Sequence, residues 1–230
     1  MDEADDAKGM TPAGLQDRAA RGVLWTVIHV ALSMPVAVGV NVLLARVLGL
    51  AGFGRLALLG AVLDMAAGIL ALGIGTAVIQ HGARAHAAGA TGEVQFLLSG
   101  AQGFRLLVVA PVLTVVVVGL VHDLPGIVLV LALLFGIWIP AAVDGGPLAL
   151  SIQNSTDAQA RITLVLGLVA QACVVAVALL VGTAESVWIT RLVVLGGGMV
   201  TYLLPVRAAY RRSVLRPRLP RFDQAFWRFA

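Results

Sequence analysis

Six stretches of the chain, residues 23–45, 56–79, 99–121, 126–150, 162–182 and 187–206, are dominated by Leu, Val, Ala and Ile with few charges. Each has about the 20 residues an α-helix needs to cross the hydrocarbon core of a bilayer. Membrane β-strands would appear as segments of about ten residues alternating apolar and polar side chains. These runs are continuous instead, so the pattern predicts an all-α integral membrane protein with six transmembrane helices. The connections HDLPG (122–126) and GTAES (182–186) are very short, while HGARAHAAGATGEVQ (81–95) and SIQNSTDAQAR (151–161) are moderate. None leaves room for a soluble domain.

Composition strengthens this reading. Of the 230 residues, 60 % are hydrophobic and 12 % charged, with a mean hydropathy of +0.97; a soluble domain carries about twice that share of charge. The polar start followed by a long apolar run does not fit a cleaved signal peptide. The only cysteine, Cys173, lies among Ala and Val, which excludes a disulfide framework and reads as a packing residue.

Charge placement sets the orientation. Cytoplasmic loops retain Lys and Arg. Lys8, Arg18 and Arg21 precede the first span, Arg84, Arg105 and Arg161 flank the longer connections, and a run from Arg207 to Arg228 follows the last span, leaving Arg46, Arg55 and Arg191 opposite. Both termini are therefore expected in the cytoplasm. The organisation is a tail and amphipathic lead-in (1–22), a six-helix lobe (23–206) and a basic amphipathic tail (207–230). The tail's Phe222, Phe226 and Trp227 suit an interfacial helix on anionic lipid rather than a nucleic-acid surface.

Polar groups inside a bilayer are costly and mark candidate functional positions. His29 and Asn41 fall on one side of the first helix with Ser33, Asp64 lies mid-way along the second, Arg105 opens the third, Asp144 sits in VDGGPL (143–148) after Pro140, and Gln171 marks the fifth. Each would serve as an interhelical bond or as part of a polar pathway for a headgroup, proton or sodium ion; His29 and Asp64 would form a proton-linked pair if their helices pack together. Gly196, Gly197 and Gly198 suit either a hinge or close helix contact. Arg46 and Arg55 bracket a glycine-rich turn, where they would reach lipid phosphates, with Arg46 also placed to meet a diphosphate.

The passage DRAARGVLW (17–25), followed by ARVLGLAGFGRLAL (45–58) and LGIGTAVIQ (72–80), resembles the start of the polysaccharide-transporter flippases, the O-antigen and capsule-precursor branch of the multidrug, oligosaccharidyl-lipid and polysaccharide exporter superfamily. Arg46, Leu48, Gly49, Phe53 and Gly54 fit that family's A-R-x-L-G-x-x-x-F-G hairpin, and PRLPRFDQAFWRFA (217–230) looks like its approach to a seventh helix. Where many relatives have an Asp-Leu-Gly-Leu type sequence at the end of the second span, this chain has Leu72-Gly73-Ile74-Gly75. The resemblance implies one lobe of an exporter-type bundle, a truncated product or half-transporter that pairs with a second lobe or a second copy. It also implies a flippase moving polyprenyl-diphosphate-linked oligosaccharide across the plasma (inner) membrane by alternating access, in polysaccharide or lipopolysaccharide biosynthesis. No cofactor or metal is expected, since no G-x-x-x-x-G-K-[ST] phosphate loop occurs. A membrane enzyme is the weaker alternative, because Asp64, Asp144 and Asp157 are solitary and form no D-x-D or D-x-x-D beside a span to hold Mg²⁺. A non-transporting membrane scaffold is the other.

Overall fold

The computed structural model describes residues 12–71, 74–120 and 123–218. These residues contain helices and no strand: α1 (Pro12–Ala71), α2 (Ile74–Ala87), α3 (Thr91–Leu120), α4 (Gly126–Ile152), α5 (Thr156–Leu180), α6 (Ala184–Leu203) and α7 (Ala208–Val214). Five of them, α1 and α3 to α6, are long and apolar enough to cross a membrane.

The first two expected spans, 23–45 and 56–79, differ from the structure in their boundary. α1 is broken at a single residue, Gly49, with φ 69° and ψ 175°, a conformation open essentially to glycine alone. Before the break, α1 follows α5 in the same direction: Gly22 lies on Thr156, Trp25 stacks on the Arg161 guanidinium at 4.6 Å, and Leu44 packs in a cluster with Val174 and Ala178. After it, the chain doubles back. Arg55 meets Asp123 in the α3–α4 connection and Glu185 in the first turn of α6, Leu63 reaches Gly136, and Gly82 of α2 abuts Ile152 at the end of α4. The remainder of the second expected span crosses residues 72–73, outside those described, and resumes as α2.

The first leg of α1 touches the bundle through one seam, Gly22, Trp25, His29, Ser33, Ala37, Val40, Leu44 and Leu48, spaced three or four apart as a helix face requires. Only 6 % of its most apolar window is buried, and Val27, Val30, Met34 and Val38 project outward. Such a face is stable against acyl chains or a further packed lobe, not in bulk water. The core lies elsewhere. One cluster, with Val78, Leu98, Leu150, Tyr210 and Val214, joins α2, α3, α4 and α7. A second, with Leu59, Leu113, Val117, Ile137 and Trp188, joins α1, α3, α4 and α6.

α3 and α4 are irregular. Each contains one π-helical turn, Arg105–Val109 and Leu134–Trp138. In α4 the Ile139 N–H bonds Leu134 and Pro140 has no N–H to give, so the Phe135 carbonyl is released from the ladder. Gly196 fits against it: a Cβ there would overlap that carbonyl. Gly198 is likewise pressed on Leu166. Gly196 and Gly198 thus permit close contact of α6 with α4 and α5, and the helix tightens to 3₁₀ directly after the triplet, over Met199–Leu203.

Candidate functional site

A buried polar constellation lies between α3 and α4. Gln102 is fully buried. Its Nε2 donates to the carbonyl of Ala141, and its Oε1 accepts the backbone N–H of Gly145 at 3.2 Å. Those two backbone groups stand four residues apart and would bond each other in a regular helix. The side-chain amide has been inserted into the ladder, a recognised cause of helix breaks. The break falls at Asp144, whose carboxylate projects to the Arg105 guanidinium one turn beyond Gln102 and forms an ion pair with it. The arginine side chain is 14 % exposed and the aspartate 34 % exposed, so the pair opens partly outward. Glycines make the room: a Cβ at Gly145 would overlap Val214, and one at Gly75 would touch the guanidinium. The sequence marked Arg105 and Asp144 separately; Gln102 was missed, because a glutamine near a span's end carries no motif.

His29 and Gln171 are brought together across the α1–α5 seam, in a pocket of about 230 Å³ with Ser33 and Gly167. His29 does not meet Asp64. The second leg carries Asp64 exposed on its surface, without an ion-pair partner among the described residues, because that leg packs on α3 and α4 rather than beside His29. Asn41 and Arg46 are also exposed. Arg55, expected to reach lipid phosphates, instead holds Glu185 at 2.7 Å and Asp123 at 3.5 Å, tying the second leg of α1 to the α3–α4 connection and the start of α6.

A cleft of about 330 Å³ lies between α4, α5 and α6, with Pro140, Pro147 and Gly196 in its wall. Its polar edge consists of Thr163 and Tyr202, whose hydroxyls are 2.7 Å apart, and Gln159, which accepts from Ser151 at 3.1 Å.

At the far end of α2, His86 Nδ1 lies 2.8 Å from the Tyr210 hydroxyl. Burial raises the Tyr210 pKa above its usual value, with the Arg207 charge pulling the other way. Tyr210 and Val214, the apolar face of α7, are buried in the protein core, so this part of the basic tail packs on the lobe. The Arg218 N–H bonds Ser99 at 3.0 Å, and its carbonyl occupies the space a Cβ on Gly103 would need. Residues 219–230, with the expected interfacial aromatics, fall outside the described residues. Among the described residues no group of three or more His, Cys, Asp or Glu side chains comes together to hold a metal ion.

The family model described as Polysaccharide biosynthesis protein matches residues 19–227. No curated protein and no solved structure matches the chain.

Proposed function

This chain belongs to the polysaccharide biosynthesis protein family, and from that premise we propose that it is a membrane transporter, one lobe of a flippase for lipid-linked oligosaccharide. The family match over residues 19–227 carries this reading. The helices act as six spans when the two legs of α1 are counted separately, with both termini cytoplasmic, in the plasma (inner) membrane. The substrate is a polyprenyl-diphosphate sugar carried from the inner to the outer leaflet, and a second lobe completes the cavity.

The exposed polar residues support it. Asn41 and Asp64 lie within apolar helices yet turn away from the lobe's own core. An aspartate facing acyl chains at mid-bilayer costs about 2.5–3.5 kcal/mol on insertion scales; facing a shared polar interior it costs far less and can meet sugar hydroxyls. Arg46, exposed near the Gly49 turn, supplies a fixed positive charge for the diphosphate. Rocking of the lobes about this interior gives alternating access. The protein does no covalent chemistry.

Proteoliposomes containing a fluorescent polyprenyl-diphosphate oligosaccharide provide the test. Protein-dependent loss of label protection from a membrane-impermeant quencher is expected, slowed by Asp64→Asn and Arg46→Gln. Exchange no faster than in protein-free vesicles, with the protein folded and its partner lobe present, rejects the proposal.

A further inference from the structure

We infer that the pocket between α1 and α5 is a hydrogen-bonding site for a neutral hydroxyl group inside the membrane, independent of the transport reading. Its polar edge is His29, Ser33 and Gln171. His29 Nδ1 is buried and has no hydrogen-bond partner. Gln171 makes no hydrogen bond with any described residue. The Ser33 hydroxyl donates to the His29 carbonyl of its own helix at 2.5 Å, which leaves the oxygen's lone pairs free to accept.

Hydrocarbon cannot satisfy these groups, and a polar group left unmet in a bilayer is costly. The occupant must therefore bond them. A carboxylate or phosphate only accepts and an ammonium only donates, whereas a neutral imidazole and a primary amide present both roles. A hydroxyl matches both. The pocket lining contains no Asp, Glu, Lys or Arg to neutralise an ion. On the same seam Arg161 is engaged, pairing with Asp157 at 3.7 Å and stacking on Trp25. At about 230 Å³ the pocket exceeds what one water occupies, since a water's share of liquid is about 30 Å³. It accepts either several waters or one ring of a sugar or polyol, and the two sources share the same bonding chemistry.

The test uses the full chain in nanodiscs with Cys173→Ala as background. A thiol in water ionises and reacts with a charged, membrane-impermeant thiosulfonate, whereas one in hydrocarbon does not. Gln171→Cys is expected to react more than about tenfold faster than Leu32→Cys, whose parent side chain is exposed on α1 outside the pocket. Slowing of the reaction by N-acetylglucosamine identifies a sugar hydroxyl as the ligand; an unchanged rate identifies water, and both support the site. In the unaltered chain, the ¹⁵N-labelled His29 ring should exchange its proton with solvent. A Gln171→Cys protein that is folded but reacts no faster than Leu32→Cys, or a His29 ring protected from exchange, overturns the inference.

Discussion

The side-chain oxygen of Gln102 accepts the backbone N–H of Gly145 at 3.2 Å, while its nitrogen donates to Ala141, the group Gly145 would bond in an unbroken helix. One side chain of α3 thereby holds α4 open at the residue that presents Asp144 to Arg105. Gln102→Ala should cost about 1–3 kcal/mol, the range for stranding buried backbone groups. Paired with Asp144→Asn in a double-mutant cycle, it should show a coupling of about 0.5–3 kcal/mol. Unfolding in mixed micelles measures both, and strict additivity would separate the amide from the ion pair.

Gly49 should tolerate no side chain, although nothing surrounds it within 4 Å. The obstacle is its φ of 69°, so Gly49→Ala should lower stability by about 1–3 kcal/mol. Gly54→Ala, also in open space but without a positive φ, should be nearly neutral. Thermal unfolding in detergent distinguishes them.

Close contact of α6 with α4 makes the glycines of the triplet unequal. Gly196→Ala drives a methyl into the Phe135 carbonyl, while a Cβ at Gly197 meets only the Phe135 ring at 3.6 Å. The first should cost about 1–3 kcal/mol through overpacking, the second little. Equal losses in stability would mean that the triplet is not ordered by this contact.

The Arg55 clasp joins partly solvated groups, with the arginine side chain 43 % exposed and Glu185 26 % exposed. Glu185→Gln should therefore cost only about 0.5–1 kcal/mol, and less in high salt. Asp123→Asn, which removes the longer and more exposed contact, should have a smaller effect. Chemical denaturation at two ionic strengths checks the order.

Tyr210 predicts an alkaline limit. Its pKa is raised on folding, chiefly by burial, so the neutral phenol is favoured in the native state. Its contribution is fully present below the unfolded value of 10.0 and is lost as pH rises through the higher folded value. Melting temperature against pH should fall in that alkaline window, and Tyr210→Phe should flatten the fall. The same substitution removes the bond to His86, costing about 1 kcal/mol at neutral pH.

Much of the candidate chemistry was visible only as separate residues. Asp144 and Arg105 each stand out as charges in apolar runs, but their pairing depends on a break in α4 that a glutamine 39 positions from Ala141 creates. His29 and Asp64 read as partners under the assumption that adjacent spans pack side by side. The structure sends His29 to α5 and Asp64 to an exposed face, because the seam of α1 matches a helix more than a hundred residues away in sequence. In a helix apolar all round, hydrophobic periodicity cannot reveal which face meets protein and which meets lipid.

The sequence by itself determined the solvent and the secondary structure. Runs of about 20 apolar residues leave the backbone no partner in hydrocarbon except itself, which makes them helices, and a glycine at position 49 permits a turn that no other residue would. Tertiary structure alone decided which polar groups meet: Arg55 with Glu185, Arg105 with Asp144, Gln102 with the opened backbone of α4, and His29 with Gln171 in one pocket between α1 and α5. Pairing in a bilayer is chosen by the register and contact of whole helices, a property of the packed bundle rather than of any local stretch of chain.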